Sequence, residues 1–167
     1  MNADGDPVDR IVHEWDTAFP AVGLAPVEVI VRINRISALA MRDLERALTA
    51  SGVSRGEYEV LGALARAERP LRPSEVTSST MVSNAATTKY VDGLVRKNLV
   101  ERGAWAQDKR VVLLQITDSG RAVVDAEFPA RVERDRRLLD GLDGDERAQL
   151  VHLLRRVSAN AERITRN

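Results

Sequence analysis

The sequence predicts a mainly α-helical fold carrying one small β-hairpin, an α+β arrangement of several amphipathic helices. Apolar residues recur at three- and four-residue steps, the period of a helix with one buried face. One pair of β-like runs, 99–104 and 111–117, the second of them β-branched and apolar, breaks that period. Aromatic residues make up 4% of the 167 residues and apolar residues 44%, which favours helices over a sandwich or barrel.

Residues 7–19 read as a short helix. Pro7 suits its first turn, and Val8, Ile11, Val12, Trp15 and Phe19 share one face. Pro20 and Gly23 break it. Pro26 opens a long helix to about Ala50, with Ile33, Ile36, Ala40, Leu44 and Leu48 as its stripe and Gly52 just past its end. Ser54 caps the next helix, and Glu57 three residues on completes a capping box. Tyr58, Leu61, Leu64 and Ala65 face inward, and Pro70 ends that helix. Pro73 starts a short helix over about 73–79.

Ser83 caps a further helix to about Asn98, with Ala86, Tyr90 or Val91, Leu94 and Val95 inward. The two β-like runs follow, with Trp105–Arg110 as a polar tip in a longer loop. Thr117 or Asp118 caps a helix over about 119–139, punctuated by Gly141 and Gly144. Asp143, with Glu146 three residues on, caps the last helix. Its stripe is Leu150, Leu153, Leu154, Val157, Ala161 and Ile164.

The chain divides by these signals into three parts. Residues 1–50 hold a short first helix and the long helix, 51–117 three helices and the hairpin, and 118–167 the C-terminal helices.

Several function classes drop out early. With no cysteine there is no disulfide, thiolate metal site or thiol nucleophile. His13 and His152 are far apart, so neither a metal cluster nor a triad is expected, and no catalytic residue or cofactor is assigned. Gly141 and Gly144 do not form a phosphate loop. No apolar run approaches the roughly 20 residues of a membrane span, and the acidic start is unlike a signal peptide. A cytoplasmic protein with no membrane partner is the expectation.

The net charge of zero hides a segregation. Residues 83–110 carry six basic side chains (Lys89, Arg96, Lys97, Arg102, Lys109, Arg110) against three acidic ones. Residues 1–52 carry five against eight.

Helix, helix, helix, hairpin, helix is the order of a winged helix-turn-helix. A helix fits the major groove of B-DNA, where its first residues meet base edges. The preceding short helix meets the phosphates, here through Ser74 and the amides near Pro73. A hairpin tip can place an Arg in the adjacent minor groove. The DNA-facing residues on this reading are Ser74, Ser83, Asn84, Thr87, Thr88 and Lys89, with Lys109 and Arg110 on the wing. An ordinary helix start also favours Ser, Asn and Thr, so the alternative is a winged module that binds protein and not DNA.

Leu99-Val100-Glu101-Arg102, Asp108-Lys109-Arg110 and Gln115-Ile116-Thr117-Asp118-Ser119-Gly120-Arg121 resemble the MarR-type regulators over nearly the whole chain. In that family an Asp-x-Arg wing precedes a Leu-Thr-x-x-Gly strand end, and here Ile116 replaces the Leu. The resemblance implies a homodimer whose terminal helices interlock, bound to a palindromic double-stranded operator with half-sites roughly 34 Å apart. It implies repression relieved by a small molecule.

Glu14-Trp15, Pro26-Val27-Glu28-Val29-Ile30, Arg32 and Ser54–Leu61 are similar to the PecS-like, urate-responsive branch with its extra first helix. Carried over, that branch's ligand residues fall on Trp15, Glu59, Tyr90 and Arg102. Glu59 stands in place of Asp, and Tyr90 in place of Arg. Tyr90 lacks the bidentate cation an anion would meet, which points from urate toward another small aromatic or anionic effector. A Glu59–Arg102 pair bridging helix and wing would then be a switch.

Overall fold

In the computed structural model, residues 5–80, 82–105 and 108–166 are described, and of these 104, 105 and 108–111 by backbone alone. The described elements are α1 (Pro7–Ala18), α2 (Ala25–Leu48), α3 (Arg55–Arg66), α4 (Pro73–Ser78) and α5 (Asn84–Arg96). Then come β1 (Val100–Trp105), β2 (Asp108–Ile116), α6 (Asp118–Leu138) and α7 (Gly144–Thr165). The order is the one the sequence predicts, a mostly helical chain with one antiparallel hairpin. Contacts divide it into two compact units, Met1–Asp125 and Ala126–Asn167.

The first unit is built around α3 and α5. Leu44, Leu48, Val53, Tyr58, Val60, Leu61, Leu64, Val76, Val91, Leu94, Val100 and Leu114 bury together as its core. The last two turns of α2 therefore belong to this core, while the earlier Val29, Ile30, Ile36 and Leu39 stay exposed. α1 is tied to α2 by Arg32, whose guanidinium meets Asp6 at 2.9 Å, Glu28 at 3.1 Å and Asp9.

Local signals act as the sequence says they should. Ser54 and Glu57 form a capping box on α3, and Asp143 and Glu146 do so on α7. Asn98 ends α5 at φ 57°, a left-handed position Asn tolerates. The Thr117 hydroxyl accepts from the Gly120 amide at 3.0 Å and so caps α6.

Two expectations are corrected. The inward face of α5 centres on Thr87, Val91, Gly93 and Leu94, one position on from the Ala86 line. Ala86 and Val95 are only half-buried. The hairpin also pairs as far as Trp105 with Asp108, so Asp108–Arg110 are strand residues and not part of a loop. The register shifts between Ala104 and Trp105, which lets the strands continue beyond the regular ladder.

Leu71 adds a bridge to Leu114 (2.7 and 3.0 Å), which seats the α3–α4 connection on the hairpin. In the second unit every described residue of α7 is exposed, including Leu150, Leu153, Leu154 and Val157 on one stripe.

Candidate functional site

The helix-turn-helix is set by side-chain hydroxyls. The Ser83 hydroxyl accepts from the Ala86 amide at 3.4 Å and caps α5. Thr87, 1% exposed, donates its hydroxyl to the Ser83 carbonyl at 3.0 Å and lies 3.0 Å from the Thr77 hydroxyl of α4. Thr87 was expected to face DNA. It instead joins α4 to α5, and its burial removes it from the outer face.

That outer face carries Ser83, Asn84, Ala85, Thr88 and Lys89, all exposed. Thr88 donates to the Asn84 carbonyl at 3.3 Å. Lys89 has no ion-pair partner among the described residues. Small polar residues and a free ammonium therefore project from a helix whose other side is anchored in the core, the arrangement a groove-reading helix needs.

Ser74 is exposed at the start of α4. The amides near Pro73 offer less than the sequence suggests. Glu75 takes the Arg72 amide at 2.7 Å, and Pro73 has none. Arg69 grips both Glu75 oxygens at 2.6 and 3.2 Å, and with the Arg72 amide this holds the Glu75 carboxyl at about 2. A carboxylate thus already occupies this helix start. The wing residues Lys109 and Arg110 sit on β2, and their side chains lie outside the described residues.

The four residues expected to meet a ligand lie in different surroundings. Trp15 is half-exposed and stacks on Phe19 with centroids 5.5 Å apart. Glu59 is half-buried on α3. Tyr90 packs against the core, its ring over Gly56. Arg102 forms its ion pair with Asp92 on α5, so the helix-to-wing pair uses an acid ten residues before the Arg and not Glu59.

Sequence reading missed a second, better-defined polar link. The Lys97 ammonium reaches Glu57 Oε1 and Oε2 at 2.9 and 2.8 Å and the Gly52 carbonyl at 2.8 Å. Glu57 is buried, which by itself pushes its carboxyl up. Hydrogen bonds from Lys97 and from the Ser54 amide and hydroxyl, together with the Lys97 charge, outweigh this and hold it below its ordinary value. The only trace in the sequence was Glu57 as a capping-box acid, with Lys97 counted only in the basic balance of residues 83–110. No spacing rule joins residues forty positions apart. Among the described residues no cluster of three or more His, Cys, Asp or Glu could grip a metal ion, and no helix is long and apolar enough to cross a membrane.

The family model described as "MarR family" matches residues 51–111, the stretch from the end of α2 to the hairpin. The chain is 30% identical over 152 residues to the HTH-type transcriptional regulator PecS of Dickeya dadantii, covering 90% of this chain and 92% of that one. It resembles the Staphylococcus aureus MepR–DNA complex with a TM-score of 0.72 at 21% identity, over 78% of this chain and 96% of that one. It also resembles Bordetella bronchiseptica BpsR, whose DNA binding is regulated by 6-hydroxynicotinic acid. There the TM-score is 0.68 at 24% identity, over 78% of this chain and 92% of that one. These relatives are regulators of transcription, not enzymes.

Proposed function

The chain belongs to the MarR family of DNA-binding transcription regulators, and from that premise we propose that it is a cytoplasmic homodimeric repressor that a small aromatic or anionic molecule releases from a palindromic operator. The observation that carries the reading is the outer face of α5. Ser83, Asn84, Thr88 and Lys89 stand exposed and adjacent, while Thr87, Val91 and Leu94 fix the helix from behind. Asn and Thr supply the donors and acceptors that base edges need, and Lys89 neutralises phosphate. Ser74 adds a hydroxyl on α4, and Lys109 and Arg110 extend the contact through the wing. MepR, similar in fold, has been seen on DNA.

Two subunits are needed because the chain leaves long apolar stripes uncovered. Leu150, Leu153, Leu154 and Val157 on α7 are 36–46% exposed. Such stripes are buried in stable proteins, and a second copy supplies the cover. Residues 1–50 and 118–167 carry the pairing and 51–117 the groove contacts.

BpsR responds to a small aromatic acid, and Trp15, Glu59, Tyr90 and Arg102 occupy the positions that the PecS-like resemblance assigns to a ligand. Trp15 gives a direct test. A planar ligand stacking on it quenches its fluorescence, and Trp15→Phe removes that signal.

Selection of duplexes from a random library, followed by titration of the winners against salt, decides the main reading. Expected are winners with two inverted half-sites and a log–log salt slope of several units. No enrichment, even at low salt, leaves the protein-binding alternative.

A further inference from the structure

We propose that Lys97 and Glu57 are positioning residues that set the angle of α5 relative to α2, and through it the half-site spacing the dimer accepts. The inference rests on the dimeric DNA-binding reading above.

An ammonium has three N–H donors. Lys97 spends them on three acceptors of its own chain, Glu57 Oε1, Glu57 Oε2 and the Gly52 carbonyl, all within 2.9 Å. It therefore has no donor left for phosphate, although it is partly exposed and lies in the basic segment. What it does instead is join three elements. Lys97 is the C-cap of α5, Glu57 lies in the first turn of α3, and Gly52 is in the left-handed turn that follows α2.

Each anchor is itself fixed. Glu57 Oε2 also accepts from the Ser54 amide at 2.7 Å, and its backbone amide donates to the Ser54 hydroxyl at 3.3 Å. The carboxylate lies in the notch left by Gly93, where a Cβ would stand 2.6 Å from Oε1. Leu44 and Leu48 are buried just before Gly52, so the end of α2 cannot move away from the bolt. The opposite end of α5 is joined to α4 through Thr87 and Thr77. Lys97 thus supplies a polar link between the C-terminal end of the recognition helix and the turn that follows the long helix.

The lever is of useful size. An α5 of 13 residues is about 20 Å long, so a tilt of about 10° at Lys97 moves its DNA-facing tip by about 3 Å, close to one base-pair rise. Loosening the bolt should blur spacing without removing any DNA contact.

The test replaces both charges at once, Glu57→Gln with Lys97→Met. This leaves net charge unchanged and avoids stranding a buried carboxylate. Wild type and variant each select from a random duplex library in which inverted half-sites are separated by variable spacers. Wild type is expected to prefer one spacing over its neighbours by about tenfold or more, and the variant by about twofold, with the salt slope of each unchanged. Lys97→Met alone, altering the partly exposed partner, gives the same blurring, and Lys97→Arg restores discrimination.

If the folded variant keeps the wild-type spacing preference, the inference is overturned while the DNA-binding reading stands. A slope lower by about one in Lys97→Met overturns it too, since Lys97 would then touch phosphate. If wild type itself selects no duplex, both the inference and the reading beneath it fall.

Discussion

The ring of Tyr90 fills the space a side chain on Gly56 would need: a Cβ built at Gly56 falls 2.2 Å from Tyr90 Cζ and 2.7 Å from its hydroxyl. The absent side chain lets α5 pack tightly on α3. Tyr90 is held there by packing against α3.

Gly56→Ala should therefore destabilise the protein. Ala normally gains up to about 1 kcal/mol over Gly inside a helix. Here overlap with an aromatic ring dominates, and a net loss of about 1–3 kcal/mol is expected from denaturant titration. Combining it with Tyr90→Leu, which removes the clashing ring atoms, should recover most of the loss. Additive losses in the double variant would show that the two positions are not coupled.

Stability should fall in acid through Glu57. Its carboxyl is held below the ordinary value of 4.5, so its contribution is fully present above that pH. It is lost as pH drops through the lower, folded-state value. Wild type should lose midpoint denaturant concentration below about pH 4.5, and the Glu57→Gln, Lys97→Met pair should lose less over the same window. Parallel pH profiles would remove Glu57 from the acid response.

Lys89→Ala should weaken binding to all duplexes alike and lower the log–log salt slope by about one, because its ammonium projects free from the outer face of α5. Thr87→Val should leave that slope intact while lowering stability, since Thr87 is buried against Thr77. The reverse pattern would exchange their roles.

Arg110→Ala on β2 should cost about 1–3 kcal/mol of operator affinity and relax preference at the outer base pairs of each half-site. Full retained affinity would leave the wing without a minor-groove role.

Leu153→Glu on α7 should yield monomers in sedimentation, with DNA affinity down by on the order of a hundredfold as two-site binding is lost. Leu153 is 46% exposed in the single chain, so the folded monomer has no reason to lose stability. A variant that stays dimeric would shift the interface off α7.

Much of this protein was readable from its residues alone. Pro7, Ser54 with Glu57, Ser83, Asn98 and Asp143 with Glu146 set helix ends by local chemistry within three or four positions, so they declare themselves in sequence. The apolar period and the β-branched 111–117 run gave element type and order for the same reason.

Tertiary structure decided what depends on approach between distant segments. It turned Thr87 inward, paired Arg102 with Asp92, spent Lys97 on Glu57 and Gly52, and drew the end of α2 into the core of α3 and α5. A helix tells which residues share a face, but only packing says which face is buried, by a rotation of one residue. A charge in a sequence is likewise only a charge, and whether it meets DNA or a carboxylate is settled by the few ångströms that the fold supplies.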